Sequence, residues 1–418
     1  MTAARSAHDV AEHAAREHYG RLLAYLAARC GDVHVAEDAL SDAFASALAR
    51  WPVDGVPRSP AAWLLVAARH RLFDDARKRQ RSEKLNERLA AASREAERDV
   101  EAGDELGDER LALMFACAHP AIAREVRAPL VLQCILGLDA ARIASAFLVR
   151  PETMSQRLVR AKRKIAAAGI PLRVPERDEL PQRLDAVLAA IYAAFAEAWE
   201  DPAGSDRRAR GLTGEALWLG RMVVAACPDE PEALGLLALM LHADARRAAR
   251  RDADGAYVPL DAQDVARWDA AAIDEAETLL ARAARARRLG RFQLEAAIQS
   301  AHTAGRRRSS DWRAIVVLYD ELLRITASPV VALNRAVAIG RAYGAQRGLS
   351  ALRAIAADPR LDEYQPYWAA RADLLARAGD AAAARAAFER ALGLTIDPAI
   401  RDYLVERMRA LGGELGRP

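Results

Sequence analysis

The sequence predicts an all-α protein in three parts: two small helical modules joined by a charged tether, then a longer helical-repeat region. Three observations predict it. Apolar residues recur at helical rather than alternating spacing along nearly the whole chain. Two basic clusters flank an acidic, glycine-broken stretch, and alanine-rich hairpins follow them. The composition agrees, with 52% hydrophobic, 28% charged and only 6% aromatic residues, which suits helices and argues against disorder, collagen or a β-sandwich. A chain of 418 residues allows two to four domains at ~150 residues each.

Several classes are excluded early. The longest run free of Asp, Glu, Lys and Arg is Leu111–Ala123, 13 residues that include His119 and Pro120, short of the ~20 a membrane span needs. Ala3–Glu17 is studded with charge and carries no apolar signal core, so export is not expected. Cys30, Cys117, Cys134 and Cys227 lie far apart without a C-x-x-C pair, as expected of buried thiols in a reducing cytoplasm. Cys30 with His34, or Cys117 with His119, supplies two ligands where zinc needs about four, so no metal is expected. No phosphate-binding glycine loop or nucleophile elbow occurs, so neither a cofactor nor an enzyme is expected.

Residues 1–81 form the first module. Helices are expected from about residue 17, broken at Cys30–Asp32 and at the loop Pro52–Pro60, with Ser59-Pro60 starting the next helix. On Ala36–Pro52, Leu40, Ala43, Ala47 and Leu48 make the core-facing side, while Asp38 and Asp42 share one face at i, i+4. That carboxylate pair suits a basic partner helix and equally a solvated face. Trp63 reads as core. Arg69–Arg81 holds six basic residues, Arg69, Arg71, Arg77, Lys78, Arg79 and Arg81, against Asp74 and Asp75. Residues 82–108 are the tether; Glu95–Glu109 carries eight acids and one Arg98.

Residues 109–174 hold the second module, closed by Gly169-Ile170-Pro171. Asp139 is the N-cap of a short helix with Ile143 and Ala144 facing inward; Val149-Arg150-Pro151 breaks it and a second helix begins at Glu152. Met154, Leu158, Ala161 and Ile165 fall on one apolar stripe, and Thr153, Gln156, Arg157, Arg160, Lys162, Arg163 and Lys164 are assigned to the opposite face. This is a helix-turn-helix pattern. Early polar residues (Glu152, Thr153, Ser155, Gln156) can reach base edges in a major groove, and Arg150 with the later Arg and Lys can meet phosphates.

Residues 175–418 read as helical hairpins, interrupted at Asp201–Asp206 and Arg251–Pro259, with the clearest repeat over 329–412. Trp368, Ala372, Leu375, Gly379, Ala384, Phe388 and Ala391 follow tetratricopeptide spacing, and Ala336, Ile339, Gly348, Leu352 and Ile355 repeat it 36 residues earlier. The expected proline arrives late, as Asp397-Pro398. Glu232–Ala243 has an apolar face without an evident partner helix. The Arg306–Asp311 patch suits a solvated loop or an anion contact.

The stretch ARIASAFLVRPETMSQRLVRAKRKI (141–165) resembles region 4 of extracytoplasmic-function (ECF) RNA polymerase sigma factors, with Met154, Gln156 and Ile165 replacing the usual Val, Ser and Leu. AEDALSDAFASALARWP (Ala36–Pro52) and AAWLLVAARHRLFDDARKRQR (Ala61–Arg81) resemble region 2 of the same proteins. FACAHPAIA and the long extension resemble the subgroup with a tetratricopeptide-like C-terminal domain. The resemblance spans essentially the whole chain and is strongest over 17–175.

The resemblance implies bacterial core RNA polymerase and promoter DNA as partners. Asp38, Asp42 and Phe44, with Trp51 closing the helix, would face the polymerase clamp. The Pro52–Ser59 loop would hold a flipped base of the −10 element, with Arg58, Ser59, Arg69, Arg71, Arg77 and Arg79 along the backbone. Arg150 to Lys164 would read the −35 element, and the acidic tether would lie in the RNA exit region. The C-terminal repeats would take a regulatory protein. From the residues alone, a stand-alone helix-turn-helix regulator with a protein-interaction or ligand domain also fits.

Overall fold

The computed structural model describes residues 2–78, 109–147, 149–176, 178–200, 211–304 and 311–413. The tether 82–108, Arg79, the Arg77 side chain and residues 305–310 of the late basic patch lie outside them. Among the described residues there are eighteen α-helices and no β-strand; Arg251 and Tyr257 make an isolated bridge. The fold is therefore all-α, in two compact units, Met1–Met222 and Val223–Pro418.

In the first unit α1 (Thr2–Cys30) stops at Gly31, whose φ of 73° ends the helix at little steric cost. Asp32 then caps α2 (Val33–Asp54), accepting from the amides of His34 at 3.0 Å and Val35 at 3.2 Å. Val33, Ala36, Leu40, Ala43, Ala47 and Trp51 form its buried stripe. The helix runs on through Pro52 to Asp54 and is closed by the Gly55 amide donating to the Trp51 carbonyl at 3.1 Å. The loop is thus Gly55–Ser59, shorter than the expected Pro52–Pro60. Helix α3 (Pro60–Lys78) starts on Pro60, as expected.

Helices α4 (Arg110–Cys117), α5 (Arg124–Leu136), α6 (Ala140–Ala146) and α7 (Pro151–Ala167) follow, then α8 (Pro181–Glu200) and α9 (Leu212–Ala226). Asp139 caps α6 through the Arg142 amide at 2.9 Å. Gly137, at φ 63°, ends α5. The expected boundary at 174/175 differs from the observed one after Met222. Helix α8 packs on α5, Arg142 bonds Glu197 at 2.9 Å, and Arg110 pairs with Glu215 while lying 3.7 Å over the Trp218 ring. Those contacts hold residues 175–222 to the first unit.

The second unit holds α10 (Pro231–Asp244), α11 (Ala270–Arg285), α12 (Arg291–Ala304), α13 (Trp312–Thr326), α14 (Pro329–Tyr343), α15 (Ala345–Arg353), α16 (Gln365–Arg377), α17 (Ala381–Gly393) and α18 (Pro398–Gly413). Helix α10 does have partners, α11 and α12. It is buried on every side from Pro231 to His242, so its sequence shows no stripe to betray them. A Cβ on Gly235 would lie 2.6 Å from the Gln293 amide nitrogen, and Glu232 accepts from the Phe292 and Gln293 amides at 3.0 and 3.1 Å, capping α12 from a neighbouring helix. Later helices pair through tight turns at Gly344 and Gly379, φ 99° and 84°. Ala372, Ala384, Phe388 and Ala391 are buried between them, as are Ala336, Gly348 and Leu352 in the preceding pair.

Candidate nucleic-acid interface

Helix α7 begins on Pro151, whose fixed φ and missing amide suit a first turn. Its stripe is as the spacing predicts: Met154, Leu158 and Ile165 are each 1% exposed and Ala161 6%. At about 100° per residue, Thr153, Gln156, Arg157, Arg160 and Lys164 fall within a ~100° arc facing away from that stripe. Gln156, Arg160 and Lys164 are exposed and Thr153 and Arg157 half-buried. Arg150, Glu152, Ser155 and Arg163 are exposed beside them. The Arg160 guanidinium donates to Gln156 Oε1 at 3.3 Å, so these two side chains lie together on the outer face.

Lys162 is a correction. It is 3% exposed and its ammonium pairs with the Glu37 carboxylate on α2, so it is not available to DNA in this arrangement. The helical wheel carries the signal: Lys162 sits about 180° from Thr153, flanking the apolar stripe rather than opposing it. Tyr19 of α1 also donates to Glu37 Oε1, at 3.3 Å, and burial together with that carboxylate raises the phenol well above its usual pKa. Here α1 and α5 nearly touch. A Cβ on Gly20 would fall 1.8 Å from the Ile135 carbonyl oxygen, and one on Gly137 would fall 3.1 Å from the Tyr19 ring. Sequence spacing gave no sign of these contacts between α1–α2 and α5–α7.

On α2, Asp38 and Asp42 project to solvent with side chains 67% and 62% exposed; His34 lies 3.6 Å from Asp38 and Arg71 3.9 Å from Asp42. Phe44 is half-buried. Trp51, expected to face a partner, is only 2% exposed and meets the half-buried Trp63 edge to face at 5.5 Å. It continues the Ala43–Ala47 stripe, which explains its burial. Leu48, expected in the core, is 42% exposed because it falls outside that stripe, and Val53 and Val56 are exposed near it in the chain.

Arg58, Ser59 and Arg71 are exposed, as a nucleic-acid contact requires. Arg69 is the second correction among the basic candidates: it is 9% exposed, four residues after buried Leu65 and three before buried Leu72, on the inner face of α3. Among the described residues no group of three His, Cys, Asp or Glu side chains could hold a metal, and no helix is long and apolar enough to cross a membrane.

The acid-bearing α2 and the α3 that follows it lie in the stretch that comparison matches to a sigma-70 domain. Residues 14–82 match the model of sigma-70 region 2, and residues 183–284 match that of a family of unknown function, DUF6596. An uncharacterized protein of Rhizobium meliloti (strain 1021) is 37% identical over 400 residues, covering 94% of this chain and 93% of its own length. No solved structure matches the chain.

The chain carries sigma-70 region 2 near the N-terminus and the DUF6596 segment beyond it, a combination consistent with an ECF-like RNA polymerase sigma factor. Its role is in transcription initiation, its partners are core RNA polymerase and promoter DNA, and the family is not one of enzymes.

Proposed function

We propose that the chain selects promoters by reading two separated elements, the −35 element through α7 and the −10 element through the Gly55–Ser59 loop and the outer face of α3. The observation that carries this is the solvent-facing arc of Thr153, Gln156, Arg157, Arg160 and Lys164 on a helix that starts cleanly at Pro151. Polar side chains in the first turns suit base edges and the later cations suit phosphates. Asp38 and Asp42, with exposed Leu48, Val53 and Val56, form the surface for the polymerase. The helix pairs after residue 329 act as a tetratricopeptide-like platform for a regulatory protein.

Reading both elements at once requires the first unit to open. The elements lie about 25 base pairs apart, roughly 85 Å of duplex, whereas a compact unit of this length is about 45 Å across. The tether 82–108 has the reach, about 90 Å at full extension. The Gly20–Ile135 approach and the Glu37–Lys162 pair are then the contacts that must part when polymerase and promoter bind.

Run-off transcription tests the reading, with purified core polymerase on fragments of this protein's own genome. Specific transcripts are expected from the wild type, and Arg157→Ala with Arg160→Ala should lower them about tenfold or more. The same double substitution should flatten the salt dependence of promoter binding by about one unit of log–log slope per lost phosphate contact. Tight duplex binding without polymerase, and no transcript from any fragment, would instead favour a stand-alone regulator.

A further inference from the structure

The second unit carries a long stretch that lies on its surface without entering its core. Between α10 and α11 none of residues 250–267 is buried, whereas Ala249 and Trp268 at its two ends are, at 1% and 8% exposure. Both ends sit in one apolar cluster with Ala245 and Ile273, and the Asp269 amide donates to the Ala245 carbonyl at 2.9 Å. The two feet are therefore fixed side by side, and what lies between them can lift away without opening a core. The stretch also keeps its own shape. The Val258 amide donates to the Arg250 carbonyl at 2.9 Å, and Asp252 accepts from the Asp254 and Ala256 amides at 3.0 and 2.8 Å.

Three contacts dock this strap on helices far along the chain. Arg251 bonds Asp397, just before α18, at 2.5 Å, and Tyr257 meets Tyr403 of α18 edge to face at 5.3 Å. Asp261 accepts from Arg341 of α14 at 3.1 Å. Helices α14, α16 and α18 form one layer: α14 packs on α16, and Arg407 of α18 bonds Asp373 of α16 at 2.6 Å. The strap thus reaches from one side of that layer to the other. In an array of helix pairs each repeat touches only its neighbours, and a shared face of the array is its extended binding surface. Two ion pairs and one ring contact, with no side chain buried, hold the strap there as a bound peptide is held.

We propose that residues 250–267 are a releasable strap over the protein-binding face of the second unit. The partner that displaces it is a protein with an extended segment of the same chemistry: a cation for Asp397, an aromatic ring for Tyr403 and a carboxylate for Arg341. This rests on the helix pairs after residue 329 being a protein platform, and it names the face they use. A partner of that kind replaces each strap contact with one of like kind, so no charge on the face is stranded by the exchange. The strap is tethered at both feet and competes at an effective concentration of about millimolar, which sets the threshold a partner must pass.

The test is fluorescence polarisation of a labelled peptide of residues 250–263, added to the full chain and to a full-chain variant whose residues 251–264 are a glycine-serine linker. The linker variant should bind the peptide saturably and at least about tenfold more tightly than the wild type, whose own strap competes. Adding Asp397→Asn and Arg341→Gln to the linker variant should weaken binding about tenfold or more; asparagine at 397 keeps the cap of α18. Arg251→Gln with Tyr257→Ala, which keeps the chain length, gives a second reading should the linker variant not fold. It too should bind the peptide more tightly than the wild type, and hydrogen exchange at the Val258 amide should quicken in it. No peptide binding by either variant when folded would overturn the proposal. Binding that ignores Asp397→Asn with Arg341→Gln would overturn the strap alone and leave the helix pairs a platform by another face.

Discussion

Gly20→Ala is expected to destabilise the first unit although it improves an α-helix. Taken locally, alanine in place of a helical glycine stabilises by about 1 kcal/mol. The added Cβ, however, would lie 1.8 Å from the carbonyl oxygen of Ile135 and 2.7 Å from its carbonyl carbon. These are backbone atoms of α5, so no rotamer change relieves the clash; α1 and α5 must move apart by more than an ångström. Overpacking of this kind costs about 1–3 kcal/mol when only side chains adjust, and here the neighbours that follow α1 include Tyr19 against Gly137. The clash outweighs the propensity gain. Denaturant unfolding should show a loss of about 2 kcal/mol or more, and small-angle scattering should show a larger radius as the halves separate. An increase of stability near the propensity value would mean that α1 and α5 do not meet in solution.

Much of this architecture is legible in the sequence because it is written in local spacing. The α7 stripe of Met154, Leu158, Ala161 and Ile165, the Asp139 cap, and the helix pair around Gly379 all follow from residues within a few turns of one another. What the sequence conceals depends on partners far away in the chain. Helix α10 is buried all round, so it has no polar face to orient it. Trp51 and Arg69 are buried at stripe positions that the family resemblance assigned to the polymerase and to DNA. The first unit extends to Met222 through Arg110 and Glu215, 105 residues apart.

The separation of exposed and buried cations on α7 has a consequence for how the two halves of the first unit are joined. Placing Lys162 one position beyond the apolar stripe turns one cation inward, where Glu37 and Tyr19 await it. The contact is therefore polar, short-ranged and specific, and it contributes to closure only while both members are present. Contacts of that kind hold a register firmly yet release into water with both ions rehydrated, which an apolar seam cannot do.

Glu37→Ala should accordingly be among the most damaging single changes in the first unit. The Lys162 side chain is 4% exposed and that of Glu37 16%, so removing the acid strands an ammonium away from water. Breaking a buried pair in this way costs about 3–5 kcal/mol, whereas replacing the whole pair by apolar groups is often neutral or stabilising. Lys162→Met alone should cost less, because Glu37 keeps the Tyr19 hydroxyl as a donor and is nearer solvent. The double variant Glu37→Ala, Lys162→Met should recover most of the loss caused by Glu37→Ala alone. A double-mutant cycle from urea unfolding measures this directly, with a coupling energy of about 2 kcal/mol or more expected for residues in contact. In the double variant, with the ionic contact gone and stability retained, the halves lose the link that two ions would surrender to water on opening. Its run-off transcription should therefore respond less steeply to salt than that of the wild type at equal promoter occupancy. Additive single effects in the cycle would show that Lys162 and Glu37 do not meet, and with them the closed arrangement of α2 and α7 would fall.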